Sequence, residues 1–409
     1  MLACSQCDEV KPRCQRCQDR DANCEYAPKP PSPDSRLVER LVSPKRIVDG
    51  HTFPSTAQYD MSLALTAASL DALLQSARDL PNHRRPGAMS SVHILQHFET
   101  VTYATTGSRV VQDVVKAGNL KFAMTHPFLM HATLAFAAAH LKHLLPFSAN
   151  PIEYRQNALA AAYHWQRASH LFRKELNSPL GLGFHNMDPI LTASMHLARQ
   201  SFLLDDGALE FPKSFVKVPP EQTASAVHWF TVQSGIKSLL IVFQPYISQS
   251  IWFPVFRESD DDRGTFFDER PGAEGLTPAL AEFCGITETS TVTNNPYHAP
   301  LRLLGPLLKL EAGIQTFTKL ITFMGRMDVR FHSLLIEKDT RALLLFSYWL
   351  ALISKVDQWW IVGRARHECV AICRFLRNDP DPRLRALLEF PANTCGIDLE
   401  TGGCIKPNF

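Results

Sequence analysis

Five of the chain's ten cysteines crowd into its first 24 residues: Cys4, Cys7, Cys14, Cys17 and Cys24. From Cys7 onward the spacing is C-x6-C-x2-C-x6-C. A segment this short and thiol-rich cannot fold around a hydrophobic core. Its shape has to come from metal–thiolate bonds or from disulfides. Zinc takes about four thiolate or imidazole ligands in a tetrahedron. Cys14 and Cys17, two residues apart, can clamp one ion from a single turn, and Cys7 and Cys24 can close the shell. Unpaired surface thiols are the plain alternative, and the spacing is hard to obtain by accident.

Composition sets the surroundings. The chain has 409 residues, 45% hydrophobic and 20% charged, ordinary for a globular protein with ample core material. A formal net charge of +2 gives no global field to drive it onto nucleic acid or membrane. The start, MLACSQCDEV, has neither the basic nor the apolar region of a signal peptide. An intracellular chain with reduced thiols is therefore expected, which favours metal over disulfide in the cluster. The longest apolar stretches, Phe128–Leu141 and Leu343–Ile353, are too short or too interrupted to cross a bilayer and read as buried helices. No membrane association is expected.

Four segments follow from the pattern. Residues 1–26 hold the cysteine cluster. Residues 27–90 form a linker, which opens with four prolines in APKPPSPDS and continues as mixed polar sequence with a helical turn or two near Met61–Leu80. Residues 91–390 are a helical body, and 391–409 a tail. Within the body, apolar residues recur at three- and four-residue spacing over His93–Tyr103, Phe128–Leu144, Tyr154–Leu176, Pro189–Leu204 and Trp229–Phe243. Pro151 suits the first turn of the third helix. Helices resume at Pro278–Phe283 and Leu301–Phe323, and a long one runs from Thr340 to Leu376 with a break expected near Gly363. Residues 257–275 read as an acidic, solvated loop. Nothing alternates at period two, so the fold class is all-α.

The cluster CDEVKPRCQRCQDRDANCEY resembles the second half of the six-cysteine, two-zinc cluster of fungal transcription factors. Cys7, Cys14, Cys17 and Cys24 match the third to sixth cysteines of that family, and Lys11–Pro12 matches the proline turn between its halves. The family places six residues and a basic run between its second and third cysteines. Here only Cys4 precedes Cys7, three positions back. One half of the pseudo-symmetric site is missing, so a single zinc is expected, with Cys4 as a substitute ligand. The charge balance agrees: Lys11, Arg13, Arg16 and Arg20 face Asp8, Glu9, Asp19, Asp21 and Glu25. Lys11, Arg13 and Arg16 are then weak DNA contacts at best, because phosphate neutralisation supplies most non-specific affinity. An upstream exon carrying the missing half is the other way to account for a start inside the motif.

The body resembles the regulatory domain of the same family, most of all the group that includes the sterol uptake control regulators. The segments that carry this are HILQHFETVTYATTGSRVVQDVV, HPFLMHATLAFAAAHLKHLLP and YRQNALAAAYHWQRASHLFRKEL, with VHWFTVQSGIKSLL and LFSYWLALISKVDQWWIVGRARHECVAICRFL further on. The resemblance implies a dimerising all-helical domain that encloses an apolar effector, a nuclear protein, and regulation of RNA polymerase II transcription in sterol or secondary metabolism. The alternative is a truncated paralogue that binds ligand or dimerises without reading DNA. Arg36, Arg40, Lys45 and Arg46 make a sparse import signal.

Other candidates carry two readings. His126, His131, His140 and His143 are a metal set or, more plainly, surface and packing histidines. Phe346, Tyr348, Trp349, Trp359 and Trp360 are core or line an apolar pocket. Asp357 is a polar anchor in such a pocket or a surface carboxylate. Cys369 and Cys373 read as core thiols. No G-x-S-x-G, H-E-x-x-H or phosphate-cradling glycine loop is present, and no enzymatic activity is expected.

Overall fold

The computed structural model describes residues 91–145, 147–204, 214–258 and 268–403. The cysteines Cys4, Cys7, Cys14, Cys17, Cys24 and Cys404, the basic residues Lys11, Arg13 and Arg16, the sparse import signal and the turns near Met61–Leu80 all lie outside the described residues. Those described form an all-α body without a β-sheet.

Fifteen α-helices are described. The first five are α1 (Ser91–Thr100), α2 (Arg109–Ala123), α3 (Pro127–Leu144), α4 (Pro151–Leu176) and α5 (Met187–Ser201). The middle of the chain supplies α6 (Pro220–Ala226), α7 (His228–Val242), α8 (Phe253–Glu258) and α9 (Pro278–Phe283). The last six are α10 (His298–Leu307), α11 (Phe317–Arg326), α12 (Val329–Ile336), α13 (Thr340–Ser354), α14 (Trp359–Leu376) and α15 (Pro382–Cys395).

Two helices are buried nearly all round, and the rest pack about them. One is α3, begun by Pro127 in its first turn, where a missing N–H costs nothing. It runs through an alanine-rich stretch from Phe128 to His140 that is almost wholly out of water. Alanine lets α1, α2, α4 and α5 approach it closely. The other is α13, whose N-terminus is capped by Asp339 accepting from the Ala342 N–H at 2.9 Å. Every residue from Ala342 to Ser354 is buried, against α10, α11, α14 and α15. Helices with no polar face are what a core interior requires. The two hubs are bridged by α5, α7 and α11, which pack on one another in that order.

Several helix starts follow local chemistry. Pro151 does begin α4, beneath a cap in which Asn150 accepts from the Glu153 N–H. Asp381 caps α15 ahead of Pro382, and Gly396 ends it at φ 71°, a left-handed position that suits glycine. This last helix runs continuously across position 390.

Three expectations are corrected. The helix expected over Leu301–Phe323 is two, α10 and α11. Pro306 occupies the last turn of α10, and Thr316 then organises the break by accepting from the Gly313 N–H and donating to the Glu311 carbonyl. The break expected at Gly363 falls instead at Lys355–Gln358, and Gly363 lies inside α14. The acidic loop is not all solvated. Arg257 and Glu258 end α8, and Asp268 pairs with the buried Arg302 at 3.1 Å.

Candidate effector cavity

Where α5, α7 and α11 bridge the two hubs, a cavity of about 190 Å³ opens. Its apolar walls come from Met195 and Ala198 of α5, Ile236 and Leu240 of α7, and Phe317 and Ile321 of α11. Val111 of α2, Trp252, Val255 of α8 and Trp360 of α14 complete it. Trp252, Phe317 and Trp360 are buried, whereas Ile236, Lys237, Leu240, Ile321 and Arg326 are partly exposed. The aromatic groups therefore make the floor and the α7–α11 edge makes the rim.

Polar groups enter at few points. Arg199 is 6% exposed. Its Nε donates to the Thr106 carbonyl at 3.2 Å, and its Nη1 lies 3.4 Å from Nδ1 of His196. His196 reaches Asn119 Oδ1 through Nε2 at 2.9 Å. Asn119 exchanges hydrogen bonds with Thr133 of α3, whose hydroxyl also reaches the Leu129 carbonyl. A buried polar chain thus runs from α3 through α2 and α5 to the cavity wall. Burial holds His196 well below the ordinary histidine range, and the adjacent Arg199 adds to this. Burial also draws the Arg199 guanidinium down to about 9, which leaves it cationic at neutral pH. Gln233 fixes the α5–α7 contact by donating from Nε2 to the Ala198 carbonyl and to Ser201 Oγ. Thr318 of α11 donates to Glu258, which also accepts from Ser108 at 2.6 Å.

The aromatic residues singled out in the sequence divide. Trp360 lines the cavity, and its Nε1 donates to Gln358 Oε1 at 2.7 Å. Phe346, Tyr348 and Trp349 are core: Trp349 is 0% exposed, stacks between Phe323 and Phe346, and donates to the Leu320 carbonyl at 2.8 Å. Trp359 stacks on Phe136, His140 and His143 and bonds Thr105. Asp357 is exposed and is not a cavity anchor.

The four histidines of the suggested metal set do not converge on one point, although His140 and His143 both stack on Trp359. His140 meets Thr102 and His97. His131 pairs with His164 at 2.8 Å, and His126 contacts Thr125 and the Phe122 carbonyl. No group of three or more His, Cys, Asp or Glu side chains among the described residues is placed to hold a metal. Cys369 and Cys373 are fully buried, as expected of core thiols. No helix among the described residues is long and apolar enough to cross a membrane.

No protein-family model matches the chain. A Zn(2)-C6 fungal-type transcription factor of Gibberella zeae is 22% identical over 436 residues, which cover 96% of this chain and 83% of that protein. The chain is similar to a fungal transcription factor. The similarity takes in nearly the whole chain, so it is not confined to a cysteine motif. It supports the fungal Zn(2)-C6 reading for a protein whose body is all-α and carries an apolar cavity.

Sequence reasoning missed Arg199, His196, Asn119 and Thr133. The one available signal was spacing: His196 and Arg199 lie three apart, and so neighbour each other, on a helix whose other buried residues include Ile190, Leu191, Ala193 and Leu197.

Proposed function

We propose that the chain is a fungal zinc-cluster transcription factor that regulates RNA polymerase II genes from the nucleus, with no enzymatic activity of its own. The observation that carries this is the similarity to the Gibberella zeae transcription factor over 96% of the chain. The cysteine spacing of residues 7–24 agrees with it independently. In this reading Cys7, Cys14, Cys17 and Cys24 hold one zinc, with Cys4 as a substitute ligand. Lys11, Arg13 and Arg16 supply a weak hold on phosphate. The helical body dimerises and senses a small apolar effector in the cavity beside Trp252 and Trp360. A sterol or secondary-metabolite pathway is the finer form that the resemblance of the body suggests.

The test is made in the native host. Deleting the gene and tagging its product should change a defined set of transcripts and show occupancy of the tagged protein at their promoters. A nuclear-excluded product with an unchanged transcript profile would remove the reading.

A further inference from the structure

The described body has three buried arginines, and two of them are neutralised by a carboxylate. Arg302 lies 3.1 Å from Asp268, and Arg364 lies 3.5 Å from Glu368. Arg199 has no such partner among the described residues: it hydrogen-bonds the Thr106 carbonyl and the neutral imidazole of His196. The rings of Phe136 and Trp360 flank it at 5.9 and 6.0 Å. A buried charge without a counter-charge is costly, and proteins ordinarily pair it. Arg199 is also the one of the three that lines the cavity.

We propose that this cavity binds a small monocarboxylic acid with an apolar body, its carboxylate on Arg199 and its tail over Trp252, Phe317 and Trp360. This rests on the reading of the helical body as an effector-sensing domain and gives that effector a chemical class. The guanidinium fork fits a planar carboxylate, and Nη2 has no protein partner among the described residues. Lys237 adds an amine on the rim; burial lowers its pKa from the ordinary lysine value, Asp328 supports its charge and Arg326 opposes it. Glu258, which meets the lining residue Thr318, accepts hydrogen bonds from Ser108 and Thr318. Size limits the tail. An apolar cavity of about 150 Å³ takes one benzene, so about 190 Å³ takes a single ring or a short alkyl chain and not a fused-ring lipid.

The test compares octanoate with octanol, which share a tail and differ in charge, by calorimetric titration of the full chain. Octanoate is expected to bind on the order of tenfold tighter or better, the return from one charge-assisted contact. Arg199→Gln should abolish that preference while octanol still binds, and Arg199→Lys should keep part of it. Ile321→Trp, at the partly exposed rim, should weaken both ligands. If Arg199→Gln fails to fold, the wild-type comparison and Ile321→Trp decide. Equal binding of acid and alcohol by the wild type would overturn the acid assignment and leave the cavity an effector site. Absence of binding by either ligand would overturn the inference altogether. Neither result bears on promoter occupancy, so the transcriptional reading stands or falls separately.

Discussion

Arg199 and His196 face each other on one turn of α5, with Nη1 3.4 Å from Nδ1. The guanidinium can only donate, so Nδ1 must accept, and His196 carries its proton on Nε2. That proton goes to Asn119 Oδ1, 2.9 Å away. One contact therefore fixes a tautomer, and the tautomer fixes the orientation of an amide on another helix.

Removing the middle of this chain should be expensive. Asn119→Ala strands the His196 N–H and takes a partner from Thr133, both fully buried. A loss of about 1–3 kcal/mol is expected, the usual penalty for an unsatisfied buried polar group. Urea unfolding at neutral pH reads it directly. A loss below about 0.5 kcal/mol would mean that the network is not formed.

Stability should fall in mild acid. Burial first, then neighbouring histidines, lowers His140 and His164 from 6.5 to about 4. In the unfolded chain these groups take up protons near 6.5, while in the folded chain they resist until about 4. Between those values the unfolded state binds more protons, so stability is complete above about 6.5 and drains away as pH falls toward 4. At pH 5 each group accounts for on the order of 1–2 kcal/mol. Melting temperatures measured from pH 7.5 to 5 should decline, and His164→Gln should flatten the decline. A curve flat over that window would contradict the burial of these imidazoles.

The aromatic stretch of α13 and α14 should show two kinds of response. Trp349→Ala removes a fully buried ring with its hydrogen bond to Leu320 and should cost about 3–5 kcal/mol. Asp357→Ala, at an exposed turn, should change stability by no more than about 0.5 kcal/mol. Chemical denaturation of both variants separates core from surface within a few positions.

Most of the long helices were legible from apolar spacing of three and four residues, whereas α2, α6, α8, α12 and α15 were not singled out in the sequence. The break before α14 was not legible, because its residues, Lys355 to Gln358, include neither proline nor glycine, and Val356 tucks wholly into the core. Gly363 misled for the opposite reason. An interior glycine costs a helix about 1 kcal/mol without breaking it, and packing carries α14 through. The cavity was least legible. Thr106, Arg199, Gln233 and Trp360 meet only through tertiary packing, and in sequence Arg199 looks like any arginine near a helix end. Trp360 was within reach because aromatic density drew attention to it, yet its neighbours Trp349 and Trp359 turned out to serve the core and a histidine stack.

Zinc content tests the central claim most directly. Elemental analysis of the purified, folded chain should find about one zinc per chain, the capacity of a four-thiolate shell. Replacing Cys14 and Cys17 together by serine should remove it while leaving the helical body folded, as judged by its unfolding transition. A folded chain that binds no zinc would contradict the zinc-cluster account, and two zincs per chain would contradict the single-site ligand set of Cys7, Cys14, Cys17 and Cys24.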